Sequence, residues 1–447
     1  MNSLTQRKIF FFWLPLFASW LLMTLEGPLT HAAITRLPDP IVSLAAFGIV
    51  MSLSITIESP IIMLLATSTT LAVNRQAYLV LRRFTLHLNL LVAALAAVVA
   101  FYTPLYNWLV LDLMGIPPHI AAAAQAGMKI MVFWGAAIGW RRFNQGILIR
   151  FGYTKRVTYG TAIRLIFTGA GTFGAAWLLK WPGVWSGAIG LMGGVLAEAI
   201  FIHWATIDVK ARYYPPLVTA DEAPLTYQEV VKFHTPLAAT SLLSLLAQPL
   251  IGMGLARMVF PEESLALWPV IFNLTFVFRS AAFALPEVVI ALSKEADAFK
   301  PIRNFCLGVG LATTLVMLLA LVTPISQIYL TGVIGLSPEL AQMAIPGLII
   351  TLTLPFLTAA QSWLRGLFMK VKSTRYVYQG MGINLIITGG VVFAGVRWQT
   401  PGLQTAALAL GVAALFEILF LWGRVRPIIS DNFSLPLPKS SVLSDTI

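Results

Sequence analysis

Long, continuously apolar stretches alternate with short polar ones along the whole chain. Each stretch holds about 20 residues or more, the length that an α-helix needs to cross a bilayer. Its residues do not alternate with a period of two, so the pattern excludes a transmembrane β-barrel. The pattern predicts twelve membrane-spanning helices, at roughly 9–30, 41–71, 84–106, 122–148, 157–179, 184–207, 231–256, 264–291, 303–329, 340–365, 377–396 and 403–423.

The second half of the chain repeats the first half. Residues 15–29 match 236–250 at a shift of 221 positions, and Gly160 matches Gly380 at a shift of 220. Repeats of this kind are characteristic of membrane transporters. Because each copy holds an even number of spans, the two copies should be parallel and related by an axis along the membrane normal.

The repeat divides the chain into an N-lobe at 1–207 and a C-lobe at 231–426, with six helices each. The polar stretch 208–230 is expected to be a cytoplasmic linker between the lobes. The Pro- and Ser-rich end, 427–447, is expected to be a disordered cytoplasmic tail. The predicted fold class is an all-α integral membrane protein, a bundle of twelve transmembrane helices in two parallel six-helix repeats.

Composition and charge support a membrane protein. Hydrophobic residues make up 58% of the chain and charged residues 11%, against about 25% charged in soluble domains. Twenty of the 30 basic residues fall in loops on one side, which predicts that both termini are cytoplasmic. The net charge of +12 thus reflects topology in a bacterial inner or plasma membrane rather than nucleic-acid binding.

No motif of an enzyme, an ATPase or a zinc site stands out, and Cys306 is the single cysteine. We therefore expect a monomeric protein that is not an enzyme, with the lipid bilayer and a small-molecule substrate as partners. No cofactor or metal is expected apart from H⁺ or Na⁺ as a coupling ion.

Eleven charged residues fall inside the predicted spans. Each costs about 2.5–3.5 kcal/mol near a helix centre, so most must face one another or a water-filled cavity. They are Glu26, Glu58, Lys129, Arg141, Arg142, Arg164, Glu198, Arg279, Glu287, Arg365 and Glu417.

Four intramembrane polar residues are expected to be structural. Arg164 and Glu198 lie at similar depth on consecutive spans, which predicts a buried pair within the N-lobe. The second copy places Asn384 and Glu417 at the equivalent positions, so a polar pair recurs there.

Other charges have no equivalent in the second copy, which favours a functional role. Glu58 is matched by Arg279, and we expect the two to meet across the lobes as a gate or within the binding site. Glu26 is matched by the neutral Ala247. A desolvated glutamate such as Glu26 or Glu58 could carry a coupling proton or bind Na⁺, and His31 is a further candidate for coupling or gating.

Arginines are expected to bind the substrate. Arg141 and Arg142 have the uncharged mates Gln361 and Ser362, so we expect that the fold does not require their charge. Together with Arg279 they offer donors that suit a carboxylate or a phosphate.

Three prolines are expected to bend the helices that line the cavity. Pro28 and Pro249 occupy equivalent positions in the first and seventh spans, and Pro60 lies in the second. Each removes a backbone hydrogen bond. We expect the cavity between spans 1, 2, 7 and 8.

The chain resembles the multidrug/oligosaccharidyl-lipid/polysaccharide (MOP) exporter superfamily, which includes the multidrug and toxic compound extrusion (MATE) exporters. Within it, the sequence is most similar to the progressive ankylosis protein family. The residues that carry the likeness are Glu26 and Leu29, Leu44, Ala45, Gly48, Ser52, Leu53 and Pro60, Gly146, Ile147, Leu148, Arg150 and Tyr153, and Glu417.

The resemblance implies export of pyrophosphate, nucleotide or citrate-like anions. The sequence departs from that family at Glu58 and Ile55, where the family carries an uncharged residue and a lysine. It departs from sodium-type MATE exporters at Ala247, which leaves the seventh span without an acid.

The sequence therefore predicts a gradient-driven exporter that works by alternating access and moves a small organic or phosphate-bearing anion, such as citrate or pyrophosphate. A proton-coupled MATE-type antiporter of organic cations is the alternative. A lipid-linked oligosaccharide flippase and a non-transporting membrane scaffold remain open as further alternatives.

Overall fold

The fold is helical throughout. A computed structural model describes residues 4–214, 225–293, 298–371 and 373–433. In these ranges no strand forms, and an isolated bridge between Val259 and Pro401 represents all of the β pairing. The predicted all-α class is confirmed.

Ten helices in the described ranges are long and apolar enough to cross a membrane, and a bent pair makes an eleventh. The pair, Pro118–Ile130 and Trp134–Arg150, bends by 45°. The ten are Gln6–Ile34, Pro40–Leu71, Arg75–Phe101, Gly183–Tyr213, Tyr227–Leu255, Pro261–Leu292, Phe299–Val322, Pro338–Lys370, Thr374–Trp398 and Gly402–Val425.

Eleven of the twelve predicted spans are therefore long and apolar enough to cross a membrane when the bent pair is counted as one. The fifth predicted span is present as the helix Thr154–Trp177, but it does not meet the same test. Its glycines, its threonines and Arg164 make it more polar than its neighbours. The helix still packs closely along Gly183–Ala205, so we number it as the fifth of twelve spans.

Helix boundaries show the duplication directly. Glu26–Ile34 recurs as Ala247–Leu255, and Pro40–Ile62 recurs as Pro261–Phe283, each 221 positions later. Further along the chain, Trp134–Arg150 recurs at a shift of 220 as the helix that starts at Leu354. The two copies therefore share one backbone plan.

Unusual backbone conformations recur at the same places. Asp39 and Phe260 precede the second and eighth spans, and both have φ of 53°. Gly115 and Gly335 have φ of 70° and 87°. These residues hold the left-handed conformation that glycine adopts readily and other residues rarely adopt. Such a conformation at equivalent positions supports a common ancestral unit for both lobes.

The first and seventh spans are interrupted near their prolines. The interruptions fall at Leu25 and Leu246, each three residues before Pro28 or Pro249. Proline cannot donate to the carbonyl four residues earlier, so the helix weakens within the preceding turn.

Pro60 does not interrupt its helix, which runs unbroken over Pro40–Ile62. The second span is interrupted at Met63, and the eighth is interrupted at the equivalent Ala284 although Ala281 replaces the proline there. An interruption at this point of the fold therefore does not require a proline at the position of Pro60, although Pro286 follows the interruption in the eighth span.

The N-terminal halves of the first and seventh spans cross to the opposite lobe. Trp13 donates from Nε1 to the carbonyl of Ala281 at 2.9 Å. The equivalent residue, His234, contacts the carbonyl of Pro60 through Nε2, also at 2.9 Å. Positions 13 and 60 match 234 and 281, so the two contacts are the same contact made in both directions.

The stretch between the lobes begins with the short helix Ile207–Tyr213, and 215–224 lies outside the described residues. The twelfth span continues as a helix to Phe433. Of the predicted tail, 434–447 lies outside the described residues. The lobe boundaries stay predictions.

Candidate transport cavity and buried charge clusters

A central cavity lies between the lobes. Its volume is about 180 Å³. The first, second, seventh and eighth spans line it, as predicted, and the sixth span adds Leu191. The lining residues are Met23, Glu26, Gly27, Thr30, His31, Ala45, Phe47, Gly48, Ile49, Met51, Ser52, Ile55, Leu191, Gln248, Gly252, Leu255, Leu265, Trp268, Pro269, Phe272, Asn273 and Phe276.

The cavity wall is mainly apolar and aromatic. Trp268, Phe272 and Phe276 follow one face of the eighth span, at the spacing of about one helical turn. Trp268 donates from Nε1 to Oε1 of Gln248 at 3.3 Å. Glu26 is the one charged side chain among the described lining residues. The cavity therefore suits a ligand with apolar surface and a few polar groups.

The second and eighth spans meet on the pseudo-two-fold axis. Gly48 and Pro269 occupy equivalent positions, and a methyl group on Gly48 would lie only 2.6 Å from Cγ of Pro269. Glycine is therefore required for this close approach. A self-equivalent contact of this kind places the symmetry axis through the wall of the cavity.

Both carboxylate oxygens of Glu26 are engaged. Arg164 donates from Nε to Oε1 at 2.9 Å and from Nη2 to Oε2. Thr168 donates its hydroxyl to Oε1 at 2.8 Å. The predicted pair between Arg164 and Glu198 is thus wrong, because Arg164 on the fifth span points to the first span. Similar depth in the membrane did not specify which helix face each residue occupies.

Glu198 is instead held from the fourth span. Arg141 donates from Nη1, and Gln145 donates from Nε2 at 3.0 Å. Arg141 is 5% exposed and the Glu198 side chain is fully buried. The described geometry gives Arg141 a structural partner and keeps it out of the cavity lining, contrary to the substrate-binding role that the sequence suggested.

The C-lobe holds its buried acid in the same way with the donors exchanged. Gln361 donates to Glu417 at 2.8 Å, and Arg365 donates from Nε at 2.7 Å. Asn384 adds a third donor at 2.9 Å. In sequence order the donors are therefore Arg then Gln in the N-lobe and Gln then Arg in the C-lobe, one helical turn apart. The predicted contact between Asn384 and Glu417 is present.

This exchange explains why comparing single positions was misleading. Gln361, the mate of Arg141, is neutral, but Arg365 supplies the missing cation four residues later. A search for compensating changes at i and i+4, which share a helix face, would have found Gln145 and Arg365 from the sequence.

Glu58 lies in a small pocket inside the N-lobe. The pocket has a volume of about 10 Å³ and is lined in part by Ser54, Met128 and Trp134. Glu58 is 5% exposed, and its Oε2 has no hydrogen-bond partner in the described structure. Nε of Arg142 is also buried without a partner there. Neither residue lines the central cavity.

The expected pairing of Glu58 with Arg279 is wrong for this structure. Nε of Arg279 donates to the hydroxyl of Thr358 at 2.7 Å, and its guanidinium lies 5.4 Å from the ring centre of Phe283. No ion pair joins Arg279 to Glu58 among the residues described. Each residue lies within its own lobe.

Helical geometry explains this separation. Gly48 faces the symmetry axis, and Glu58 follows ten residues later. At 3.6 residues per turn, the side chain of Glu58 is rotated by about 80° from that of Gly48. Glu58 therefore points into the N-lobe, whereas Ile55, seven residues after Gly48, faces the cavity.

His31 lies in the cavity wall. Its ring meets Phe47 edge-on, with centroids 6.0 Å apart. Nδ1 is buried and has no partner among the described residues. A role of His31 in coupling or gating stays a prediction.

No family model and no curated protein sequence matches the chain. Solved structures do match it, over nearly the full length of both chains. An inward-facing multidrug resistance MATE family transporter of the MOP superfamily shares 14% identity, with a TM-score of 0.68, and the match covers 93% of this chain and 96% of that one. An outward-facing form shares 15% identity, with a TM-score of 0.65 and 96% coverage of each chain.

A third match is a MOP superfamily transporter from Pyrococcus furiosus, described as having a binding pocket of reverse polarity that suggests a different function. It shares 16% identity, with a TM-score of 0.67 and coverage of 96% of this chain and 97% of that one. At such identities the likeness establishes the fold, which is that of MATE transporters.

These neighbours are transporters and not enzymes. The fold and the apolar helices identify an integral membrane protein. The narrower resemblance to the progressive ankylosis family receives no support. The orientation of the termini and the monomeric state stay predictions.

Proposed function

We propose that the chain is a gradient-driven secondary transporter that works by alternating access between its two lobes. The observation that carries this proposal is the central cavity on the pseudo-two-fold axis. Equivalent spans of the two repeats form its opposite walls. Rocking two such repeats against each other can expose a single site to one side of the membrane and then to the other.

The proposed substrate is an amphipathic organic molecule. Three aromatic side chains of the eighth span provide apolar surface, and Gln248, Asn273 and Thr30 provide a few hydrogen-bonding groups. Glu26 adds little net charge to the wall because Arg164 neutralises it. Burial of aromatic surface therefore supplies most of the binding free energy.

A small anion such as citrate or pyrophosphate is the second candidate. The sequence favoured it because Arg141, Arg142 and Arg279 were expected in the binding site. None of the three lines the described cavity. Such an anion would lose its hydration shell without gaining a cationic partner there, which is costly.

Glu58 is the proposed site of coupling to a proton gradient. A buried carboxylate with an unpaired oxygen is costly when charged, and a proton removes that charge. The cations that interact with the charge of Glu58 are Arg141, Arg142 and Arg164. Glu26 is less suited to carry a proton, because Arg164 and Thr168 engage both of its oxygens.

Reconstituted transport tests the substrate proposal. Purified protein in liposomes is given an imposed pH gradient, and uptake of ethidium, of an amphipathic aromatic carboxylate, of citrate and of pyrophosphate is measured. We expect uptake of at least one amphipathic compound and none of citrate or pyrophosphate. Uptake restricted to the two small anions would overturn the amphipathic substrate, and uptake of no compound under any gradient would count against transport.

A pair of phenylalanine variants locates the binding site. Phe272→Ala removes an aromatic side chain from the cavity, whereas Phe393→Ala removes one that is 72% exposed on the outside of the bundle. We expect Phe272→Ala to raise KM about tenfold or more, from the loss of buried aromatic area. Phe393→Ala should leave KM unchanged. Equal effects of both variants would place the site elsewhere.

A further inference from the structure

Two arginines connect the lobes at the end of the bundle that is opposite the N-terminus, which we call the distal face. Arg36 follows the first span and Arg257 follows the seventh, at equivalent positions 221 residues apart. Basic residues that follow apolar spans ordinarily report only the topology of a membrane protein. The structure shows that each reaches across to the other lobe.

Arg257 binds the backbone of the N-lobe. Nη1 donates to the carbonyl of Met114 at 2.6 Å. Nη2 donates to the carbonyls of Leu113 and Asp112 at 2.7 and 3.4 Å. One guanidinium thus spans three successive carbonyls, and Nη1 also donates to the carbonyl of Met253 on its own helix at 2.9 Å.

Arg36 makes the equivalent contacts with the C-lobe. Nη2 donates to the carbonyl of Gly332 at 2.8 Å, and Nη1 donates to that of Ile334 at 3.3 Å. Nη1 also donates to the carbonyl of Ala32 on its own helix. The hydroxyl of Thr35 donates to the carbonyl of Ile334 as well.

Both target segments are suited to receive a cation. They are π-helices, Trp108–Leu113 and Ile328–Ile334, and a helix C-terminus leaves carbonyls unpaired and carries a partial negative charge. A left-handed glycine follows each of them. A methyl group on Gly115 would lie 2.9 Å from Cζ of Arg257, and one on Gly335 would lie 3.5 Å from Cζ of Arg36. Glycine therefore makes room for the guanidinium at Gly115.

We infer that Arg36 and Arg257, the arginine clamps, are the distal gate of the transporter. While they hold the carbonyls of the opposite lobe, the lobes cannot separate at this face. Opening of the cavity there requires both guanidinium groups to leave. This inference rests on the proposed alternating access, because a protein with fixed lobes needs no gate.

The arginine clamps differ from the other contacts between the two lobes. At the opposite end, Trp13 donates to the carbonyl of Ala281, and Gln6 donates to that of Pro301. His234 contacts the carbonyl of Pro60 and the hydroxyl of Thr67. None of these three side chains carries a permanent charge. At the distal face, His119 lies 3.2 Å from Glu262, but these side chains are 50% and 41% exposed, and exposed ion pairs contribute little. Hydrogen bonds from a charged donor are stronger than neutral ones, so the clamps should dominate closure of this face.

Accessibility of a cavity cysteine tests the gate without any substrate. The buried Cys306 is replaced by serine, and Ser52→Cys then places a single thiol in the cavity wall. A membrane-impermeant thiol reagent is added from the side that carries the distal face. Arg36→Gln with Arg257→Gln should raise the labelling rate about tenfold or more, given the strength of hydrogen bonds to charged groups.

Arg397→Gln is the matched control. It removes a positive charge at the end of the eleventh span, near the same face, and should leave the labelling rate unchanged. Unchanged labelling in the double variant would overturn the gate, as would an equal rise in the Arg397→Gln control.

A second variant guards against misfolding of the double variant. Gly115→Ala keeps both arginines and forces Cζ of Arg257 away, so it should raise labelling by a smaller factor, about threefold. Thermal unfolding and size-exclusion chromatography establish that each variant is folded. If the double variant does not fold, a Gly115→Ala protein with unchanged labelling overturns the gate. Raised labelling in a protein that transports no compound would show that the arginines close the distal face and would reject the proposed function.

Discussion

The two lobes share one backbone plan but differ sharply in the polarity of their interiors. The N-lobe buries Glu26, Glu58 and Glu198, whereas the C-lobe has Ala247 and Arg279 at the first two equivalent positions. Eleven of the fifteen buried polar side-chain atoms that lack a partner among the described residues belong to the N-lobe. The two copies thus share one backbone plan, and most of the buried polar groups without a partner lie in the N-lobe.

The clusters that both lobes retain teach a second lesson. Glu198 and Glu417 each accept hydrogen bonds from one arginine and one glutamine, although the order of the two donors along the chain is reversed. Each cluster therefore keeps one acid, one arginine and one glutamine, although the residue at each position differs. What differs outside these clusters, above all Glu58, is the better candidate for a transport role.

Removing each clustered acid gives the largest expected effect and sharpens the comparison. Glu198→Ala leaves Arg141, which is 5% exposed, without the carboxylate that forms its ion pair, so we expect a loss of about 3–5 kcal/mol in the free energy of unfolding. Glu417→Ala should cost less, because Arg365 is 28% exposed and can reach water. Thermal unfolding of both variants in the same detergent measures the difference, and equal losses would contradict it.

Exchanging the donors tests whether the two clusters are interchangeable. Arg141→Gln should destabilise the N-lobe by about 2–3 kcal/mol, because Glu198 then lacks its cation. Adding Gln145→Arg recreates the order found in the C-lobe and should restore most of the loss. A double variant that is no more stable than the single one would show that the fourth span does not present both positions to Glu198.

Glu58→Gln separates a transport role from a structural one. Glutamine has nearly the same shape and cannot carry the proton, so uptake driven by a pH gradient should fall about 100-fold or more, the loss expected when an essential proton carrier is removed. Stability should change by less than about 1 kcal/mol, because no hydrogen bond of the described structure is lost. Thr85→Ala removes a buried hydroxyl of the same lobe that also lacks a partner among the described residues. It is the control and should keep uptake within about twofold.

Exchanging the charges of Glu58 and Arg279 has the smallest expected effect on transport. Glu58→Arg with Arg279→Glu would restore activity if the two residues met as a gate. Because each lies within its own lobe, we expect no recovery over the single variants. Uptake measurements on the three proteins decide this, and recovery to within about tenfold of the unmodified chain would indicate that the residues couple in another state.

Sequence reasoning located the spans, the repeat and the walls of the cavity, because these depend on hydropathy and on register. It failed where the direction of a side chain mattered. Register placed Glu58 opposite Arg279, but a rotation of about 80° from Gly48 turns Glu58 into the lobe. Similar depth in the membrane predicted a pair between Arg164 and Glu198, whereas in the structure Arg164 donates to Glu26.

The arginine clamps were missed for a different reason. Arg36 and Arg257 follow apolar spans, where basic residues ordinarily report topology. Their equivalence at a shift of 221 was visible in the sequence, but their partners are backbone carbonyls, which any sequence supplies. Only the structure shows that two π-helices present those carbonyls to the opposite lobe.

The crossed halves of the first and seventh spans have a consequence for synthesis of the chain. The ribosome releases the N-terminus first, yet Ile9 and Trp13 are buried against residues beyond 280. That segment must wait in the bilayer until more than half of the protein has been made. The N-lobe in turn lacks His234 until the seventh span is inserted, so neither half contains all of its own packing surface. The two repeats can therefore mature only together, each completing the other as the chain is finished.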